Sequence, residues 1–189
     1  VTAHARPDSG ALAAISALVE EVGASLEPVP WERPAMEALL ERVQPTAVFG
    51  LLGTTRKRMR AVSRAGGDPA TASYASVDRD LTLMLLEATQ QRAPGARFVY
   101  LSALGVGPAS RAPYLKVRWD VERALRGSGQ PYTILQPGFI TGADRVEDRP
   151  GERWAARLSD LALGVAAALG GGALRDRYRS HPGDELARA

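Results

Sequence analysis

The amino-acid sequence predicts an α/β protein built around a doubly wound parallel sheet. Over most of its 189 residues, short apolar runs alternate with longer segments that have the spacing of amphipathic helices. Strands separated by such helices form βαβ units, whose strands run parallel. Three of the apolar runs end directly on hydroxyl, glycine or proline residues. Because ligands bind at the carboxyl ends of parallel strands, these residues are candidates for a site.

The first half of the chain contains two predicted strand–helix units. Residues 1–5 have the character of a strand that stops at a turn-rich segment, and residues 11–22 have helical spacing up to Gly23. Residues 26–29 suit a short second strand, and residues 34–43 suit a helix whose first residue is proline.

The middle of the chain predicts a buried strand, a loop and a long helix. Residues 46–52 are a continuous apolar run, which is typical of a strand buried on both faces of a parallel sheet. Residues 56–74 are first basic and then rich in glycine, serine and alanine, which favours a loop. Residues 77–91 carry one apolar face at helical spacing and predict a helix.

Two strands and two helices are predicted in the rest of the chain. Residues 97–101 and 132–136 are short apolar runs, and residues 114–127 between them form an amphipathic segment of helical period. A loop over 139–152 is rich in charged residues, and residues 152–169 predict a final long helix.

Composition excludes several classes of site. The chain has no cysteine, so disulfides, thiolate zinc sites and cysteine nucleophiles are all excluded. Its two histidines, His4 and His181, lie near opposite ends and form no metal-ligand pattern. The net charge is only +3, and the densest basic cluster, residues 56–60, has no interleaved aromatics or nucleic-acid-binding motif. We expect one cytoplasmic domain over residues 1–189, with no metal, nucleic-acid or membrane partner.

A glycine-rich phosphate loop is missing from the sequence. Doubly wound sheets that bind dinucleotides begin with a strand and a G-x-G-x-x-G turn, whose backbone amides hold the pyrophosphate. No such pattern occurs here, and the sequence begins with Val1, inside a predicted strand. We therefore predict a fragment whose first strand would lie between the strands at residues 1–5 and 46–52, and whose residues 181–189 are the first turns of a helix that is cut short. Such a fragment is expected to bind dinucleotide poorly.

Four local patterns occur in order between about residues 46 and 155. They are Leu52-Gly-Thr-Thr-Arg56, Val77-Asp-Arg-Asp80, Tyr114-Leu-x-Val-Arg-x-x-Val-Glu122, and Gln136-Pro-Gly138 with Asp144-Arg145 and Arg149-Pro-Gly-Glu152. In this order they resemble the short-chain dehydrogenase/reductase superfamily, specifically its atypical, NmrA-like branch and the Tat-interacting-protein-like oxidoreductases. The resemblance implies a Rossmann-like domain that binds a nicotinamide dinucleotide and a small-molecule substrate.

The resemblance also implies a catalytic set. In the family a tyrosine donates the proton, a lysine four residues later binds the nicotinamide ribose and lowers the pKa of the phenol, and a serine polarises the substrate carbonyl. Tyr114 and Ser102 fill the first and third roles, but position 118 holds arginine. Lys116 lies about 200° around the helix from Tyr114 and points away from it. Arg118 is on the correct face and can stabilise a phenolate, although it stays charged and cannot relay a proton.

The resemblance places the cofactor along the same edge of the sheet. In the family an acidic residue after the second strand suits NAD, whereas Arg6 in that position suits the additional phosphate of NADP, with NAD still possible. The Pro-Gly segment is expected to close over the nicotinamide, and the loop over 139–152 to line the substrate pocket. The implied cofactor-binding residues are Arg6, Gly53, Thr54, Thr55, Pro137 and Gly138.

Simpler roles remain open for these residues. Tyr114 also suits an interfacial aromatic, Arg118 a surface charge, and Ser102 a loop residue that satisfies its own backbone. The pair Thr54–Thr55 suits capping, and Asp78 suits the positive end of its helix. Two functions are therefore open: hydride transfer between NADP(H) and a small carbonyl or hydroxyl substrate, or cofactor binding by a redox sensor that does not turn over.

Overall fold

The computed structural model of the protein describes residues 1–138, 140–141 and 181–182. The strands are β1 (Thr2–Ala5), β2 (Ser25–Pro28), β3 (Ala47–Gly50), β4 (Arg97–Leu101), β5 (Tyr132–Leu135), β6 (Ile140–Thr141) and β7 (His181–Pro182). The helices are α1 (Leu12–Glu21), α2 (Arg33–Val43), α3 (Arg56–Arg64), α4 (Leu81–Arg92) and α5 (Pro113–Gly127), with a 3-10 turn at Pro69–Ala72 and a π-helix at Tyr74–Asp80. None of these described helices has the length and apolar character needed to cross a bilayer. The predicted helix over 152–169 and the predicted loop over 139–152, apart from β6, lie outside the described residues.

All strand pairs in the described part of the chain are parallel, which confirms the predicted sheet type. β1 pairs with β2, β6 pairs with β7, and β3, β4 and β5 form a three-stranded sheet with β4 in the centre. Helices connect β1 to β2 and β3 to β4 to β5, because parallel neighbours cannot be joined by a tight turn. β1 and β3 each have one edge that no described strand covers. The additional strand expected between them stays a prediction.

The hydrophobic core covers one face of the β3–β4–β5 sheet. Along β4, the side chains of Phe98 and Tyr100 are fully buried on this face, whereas Val99 and Leu101 are only half-buried. Burial of each large apolar side chain contributes about 1.5–3 kcal/mol, so this layer fixes the helices against the sheet. α2, α4 and α5 contribute Met36, Leu39, Leu40, Leu85, Leu86, Val121 and Leu125 to the core.

β3 is shorter and more exposed than the sequence predicts. The apolar run over 46–52 predicts a strand buried on both faces, but β3 spans Ala47–Gly50, and Phe49 within it is 61% exposed. Leu51, just beyond the strand, is 60% exposed. The described helices cover only the face that carries Val48, so the prediction of two-sided burial is wrong for the described residues.

The segment over 56–74 is largely helical, so the predicted loop is wrong. α3 begins after Thr55, whose hydroxyl accepts a hydrogen bond from the Arg58 N–H at 3.2 Å. The 3-10 turn begins after Asp68, whose carboxylate accepts one from the Ala70 N–H at 2.8 Å. Both side chains accept hydrogen bonds from backbone amides at the start of a helical turn. In a polar, glycine-containing stretch, a capping residue by itself is a weak sequence signal for a helix. Because α3 buries no residue, apolar periodicity could not predict it.

The helix predicted over 77–91 is confirmed as α4, but a π-helix precedes it. The π-helix spans Tyr74–Asp80 and carries Asp78, which is 1% exposed. The position of Asp78 before the predicted helix suits it to the positive end of that helix, but its side chain lies in the interior. Wide π-turns of this kind occur frequently at functional sites, and this one adjoins the candidate site described next.

Candidate functional site

The candidate site lies at the carboxyl ends of β3, β4 and β5. Parallel pairing brings these three strand ends to one edge of the sheet, so the segments that follow them meet there. Two backbone hydrogen bonds join the segments: the Ser102 N–H donates to the Leu135 carbonyl at 2.7 Å, and the Leu104 N–H donates to the Pro137 carbonyl at 2.9 Å. The π-helix packs against α5 beside the same edge.

Tyr114 and Arg118 lie one helical turn apart on α5 and contact each other. The guanidinium carbon of Arg118 lies 4.7 Å from the centre of the Tyr114 ring, within the range of a cation–π interaction. Tyr74 of the π-helix packs edge-on against the same ring, with 5.3 Å between the ring centroids. Lys116 is exposed. Arg118, rather than Lys116, therefore faces Tyr114, as the spacing predicts.

Arg118 is an internal cation whose two terminal nitrogens are held by three groups. Nη2 donates to Asp78 Oδ1 at 3.1 Å, while Nη1 donates to the Leu101 carbonyl at 2.5 Å and weakly to the Tyr100 hydroxyl at 3.5 Å. The side chain is 8% exposed. Its Nε is buried and has no hydrogen-bond acceptor among the described residues. The alternative that Arg118 is a plain surface charge is wrong.

Asp78 is the counter-ion of Arg118 and ties the segment after β3 to α5. Its side chain is fully buried, and its Oδ2 accepts a hydrogen bond from the Thr54 N–H at 2.9 Å. Burial raises the pKa of the Asp78 carboxyl, and the Arg118 charge and the Thr54 N–H oppose that rise. The sequence could not pair residues 40 positions apart. The available signal was that both belong to patterns that carry the family resemblance.

The two tyrosines around Arg118 keep their protons at neutral pH. Burial raises the pKa of Tyr114, and the Arg118 guanidinium opposes that rise. Burial raises the pKa of Tyr100 to about 12, against the opposing effect of Arg118. Tyr100 is fully buried in the core, whereas Tyr114 is half-buried. Tyr114 is therefore the phenol that can give a proton to a ligand at this edge.

Ser102 belongs to a second buried network, one turn further along α5. Its hydroxyl donates to Glu122 Oε1 at 2.5 Å, and the Gln136 side-chain amide donates to the same oxygen at 2.7 Å. Arg126 pairs with Glu122 Oε2 at 2.7 Å. Glu122 is fully buried, so these bonds hold the ends of β4 and β5 against α5. The proton of Ser102 is directed at Glu122, a partner that sequence spacing did not predict.

The other predicted residues occupy separate places. Arg6 follows the end of β1, as expected, with its side chain 42% exposed and 3.9 Å from the Asp8 carboxylate. Thr55 caps α3, in agreement with its simpler reading. Gly53 adjoins the buried ion pair, and a Cβ placed on it would lie 3.6 Å from Arg118 Nη2. The residues that meet at the edge of the β3–β4–β5 sheet are Gly53, Thr54, Ser102, Tyr114, Arg118, Pro137 and Gly138, whereas Arg6 lies on the β1–β2 sheet.

The edge offers one donor that suits the nicotinamide end of a dinucleotide. The half-buried Tyr114 phenol can donate a hydrogen bond to a ribose hydroxyl or carbonyl oxygen. The sequence contains no G-x-G-x-x-G turn for the pyrophosphate. The residues at this edge therefore fit the nicotinamide end of the cofactor and not its pyrophosphate. No cluster of three or more metal-ligating side chains lies within the described ranges.

A parallel α/β sheet with its candidate site residues at the carboxyl edge is a Rossmann-like arrangement. A solved structure described as a short-chain alcohol dehydrogenase from Sinorhizobium meliloti 1021 has a TM-score of 0.53 and 16% identity, over 99% of this chain and 86% of that one. A structure described as an epimerase from Burkholderia cenocepacia J2315 has a TM-score of 0.50 and 20% identity, over 85% and 52% of the two chains. No protein-family model matches the chain.

Two named relatives align with parts of the chain. The mitochondrial protein FMP52 of Saccharomyces cerevisiae is 28% identical over 144 residues, which are 76% of this chain and 54% of that protein. The protein HTATIP2 of Rattus norvegicus is 35% identical over 111 residues, which are 58% of this chain and 40% of that protein. The chain spans about half the length of these relatives. Together the likenesses confirm a Rossmann-like α/β fold similar to that of solved short-chain dehydrogenases. Cytoplasmic localisation stays a prediction.

Proposed function

We propose that the protein containing this chain is an NADP(H)-dependent oxidoreductase that acts on a small carbonyl or hydroxyl compound. The observation that carries the proposal is the contact between Tyr114 and the buried cation of Arg118, with 4.7 Å between the guanidinium carbon and the ring centre. A phenol at the ligand edge of such a sheet can give up its proton when a nearby cation stabilises the phenolate.

Proton movement in this proposal depends on Tyr114 alone. When bound, the dinucleotide supplies the hydride that reaches the carbonyl carbon. Tyr114 gives its proton to the carbonyl oxygen, which becomes a hydroxyl, and the phenolate left behind lies beside the Arg118 charge. Arg118 cannot pass on a proton because its guanidinium stays charged. Solvent must therefore return the proton to Tyr114, which its half-buried position allows.

We assign the nicotinamide half of the cofactor to the edge of the β3–β4–β5 sheet and favour NADP over NAD. Arg6 follows β1 with its side chain 42% exposed, where a guanidinium can bind the additional phosphate of NADP in a bidentate manner. The nicotinamide half would lie along the segments after β3 and β5, which contain Gly53, Thr54, Thr55, Pro137 and Gly138.

A second candidate function is cofactor binding without turnover, as in a redox-sensing regulator. The observation that favours it is the use of the predicted catalytic donors in internal bonds. Ser102 gives its proton to Glu122, and both terminal nitrogens of Arg118 are bonded to protein groups. Tyr114 then has no second donor from the predicted set to polarise a substrate carbonyl.

Turnover by the whole natural protein separates the two functions. NADPH and NADH oxidation would be followed against a panel of aldehydes, ketones and quinones. Tyr114→Phe is expected to lower kcat about 100-fold or more, because it removes the proton and keeps the ring on Arg118. Tyr132→Phe, at a β5 position that is 39% exposed, is the matched control and should leave the rate unchanged.

Full turnover by Tyr114→Phe would overturn the proposed proton donor. Cofactor binding measured by calorimetry, with no turnover of any compound in the panel, would instead support the sensor.

A further inference from the structure

Asp78 is a buried carboxylate that no step proposed above uses. Its side chain has no exposed surface and accepts hydrogen bonds from the Thr54 backbone and the Arg118 side chain. Among the described residues, two side-chain carboxylates, Asp78 and Glu122, are fully buried. Of these two, Asp78 pairs with the cation that stacks on Tyr114, whereas Glu122 pairs with Arg126.

We propose that Asp78 is the positioning residue of this site, which holds the Arg118 guanidinium against the Tyr114 ring and couples that pair to the segment after β3. The proposal rests on the proposed role of Tyr114 as the proton donor.

The bonds around Arg118 make Asp78 its only charged partner in the described part of the chain. The other two partners are neutral: the Leu101 carbonyl at 2.5 Å and the Tyr100 hydroxyl at 3.5 Å. Arginine has a long, flexible stem, and a charge-assisted bond restricts its end far more than a neutral one does. Without Asp78, the guanidinium would carry an unpaired charge in the interior and would turn towards water.

Asp78 is held in place by a further hydrogen bond, so it can fix the position of the Arg118 guanidinium. Its Oδ2 is bonded to the Thr54 N–H at 2.9 Å, and the Thr54 hydroxyl donates to the Ala72 carbonyl at 3.0 Å. The carboxylate therefore joins three elements: the segment after β3, the π-helix that carries it, and α5 through Arg118. A shift of the segment after β3 would move the guanidinium relative to the Tyr114 ring.

Asp78 affects the pKa of Tyr114 in two opposite ways, directly through its own charge and indirectly through the position of Arg118. The groups that face the phenol are Arg118 from α5, Asp78 and Tyr74 from the π-helix, and Tyr100 from β4. The negative charge of Asp78 raises the pKa of Tyr114, and the positive charge of Arg118 lowers it. Removal of the Asp78 charge alone would therefore lower the pKa of Tyr114. If Arg118 also leaves the ring, the pKa of Tyr114 rises instead.

The experiment titrates the phenol at position 114 by fluorine NMR. Tyr114 is replaced by 3,5-difluorotyrosine, whose phenol ionises at a lower pH, so that the whole titration lies where the fold is intact. The midpoint is measured in the otherwise natural protein, in Asp78→Asn, and in Asp78→Asn combined with Arg118→Met. Glu87→Gln is the matched control, because it removes a carboxylate from the exposed pair with Arg33.

We expect Asp78→Asn to raise the midpoint to the value of the double variant, and Glu87→Gln to leave it unchanged. A lowered or unchanged midpoint in Asp78→Asn would mean that Arg118 keeps its place without the carboxylate, which overturns the proposal. If Asp78→Asn does not fold, Asp78→Glu decides, because it keeps the charge and moves the carboxylate by one methylene. A raised midpoint supports the proposal, because the guanidinium has followed the carboxylate away from the ring, and any other result overturns it.

This titration needs neither cofactor nor turnover, so its result is independent of the test of the proposed function. Full turnover by Tyr114→Phe would end the role of Tyr114 as proton donor and leave the titration result standing. Loss of turnover in Asp78→Asn with an unmoved midpoint would end the positioning role and leave the proposed function standing.

Discussion

The two fully buried carboxylates, Asp78 and Glu122, adjoin the same edge of the sheet but depend on different partners. Asp78 pairs with Arg118, whose side chain is 8% exposed, so both charges are removed from water. Glu122 pairs with Arg126, whose side chain is 42% exposed, and its other oxygen accepts hydrogen bonds from two neutral donors.

This difference shows that burial of the carboxylate does not by itself decide its role. A pair with both charges buried gains strong attraction but leaves a large penalty when one partner is lost. A buried carboxylate that shares its charge among neutral donors and a solvated cation loses less with any one of them. The Asp78 network therefore acts on charge near Tyr114, whereas the Glu122 network holds strand ends in place.

Removal of each arginine is expected to give the largest difference in stability between the two networks. Arg118→Met is expected to lower the free energy of unfolding by about 3–5 kcal/mol, because Asp78 is left buried without its cation. The matched change Arg126→Met is expected to cost about 1 kcal/mol or less, because the Arg126 side chain is 42% exposed and Glu122 keeps its hydrogen bonds from Ser102 and Gln136. Urea unfolding of both variants measures the difference. Equal losses would show that exposure of the arginine does not decide the cost.

Neutralising Glu122 tests the second network. Glu122→Gln is expected to lower the free energy of unfolding by about 1.5–3 kcal/mol, because the carboxamide keeps the size of the side chain while the bonds from Ser102 and Gln136 lose a charged acceptor. Glu41→Gln is the control, since the Glu41 side chain is 64% exposed in its pair with Arg92. Thermal unfolding gives the measurement. A loss as large as that of Arg118→Met would make the two networks equivalent.

The loss of stability at alkaline pH tests the surroundings of Arg118 through Tyr100. The Tyr100 hydroxyl lies 3.5 Å from Arg118 Nη1. The pKa of Tyr100 is about 12 in the folded protein, against an ordinary value of 10.0. Between these values the unfolded chain has released the proton and the folded chain keeps it. The free energy of unfolding therefore falls as pH rises, by about 1.4 kcal/mol per pH unit.

Tyr100→Phe removes this contribution and is expected to unfold at a higher pH than the natural protein. Circular dichroism during an alkaline titration measures the midpoint, with Tyr132→Phe as the control at an exposed position on β5. The same midpoint in both variants would contradict the raised pKa of Tyr100.

The parts of the fold that sequence could predict are those in which burial repeats with the backbone. α4 and α5 have apolar residues at helical spacing, and β4 alternates between buried and half-buried positions, so their types follow from local pattern. α3 buries nothing and could not be found in this way. Phe49 shows the converse, since an apolar residue in a strand is buried only if another element covers its face.

For the candidate site, sequence could place residues but not pair them. The spacing of Tyr114 and Arg118 was sufficient, because helix geometry alone puts them in contact. The partner of Arg118 lies 40 residues away, in a π-helix that no local rule predicts. The hydroxyl of Ser102 was expected to face a substrate, but the choice of Glu122 as its acceptor depends on how β4 packs against α5.

The residues of the two networks lie at every fourth position of α5: Tyr114, Arg118, Glu122 and Arg126. Each step of four residues turns about 40° beyond a full turn, so the row winds about 120° around the helix, from the π-helix towards solvent. The length of α5 between the two networks therefore sets their relative orientation. Deletion of one residue between Arg118 and Glu122 would rotate the second network by about 100° relative to the first. Such a deletion would remove the contacts of Glu122 with the ends of β4 and β5 while Tyr114 kept its cation.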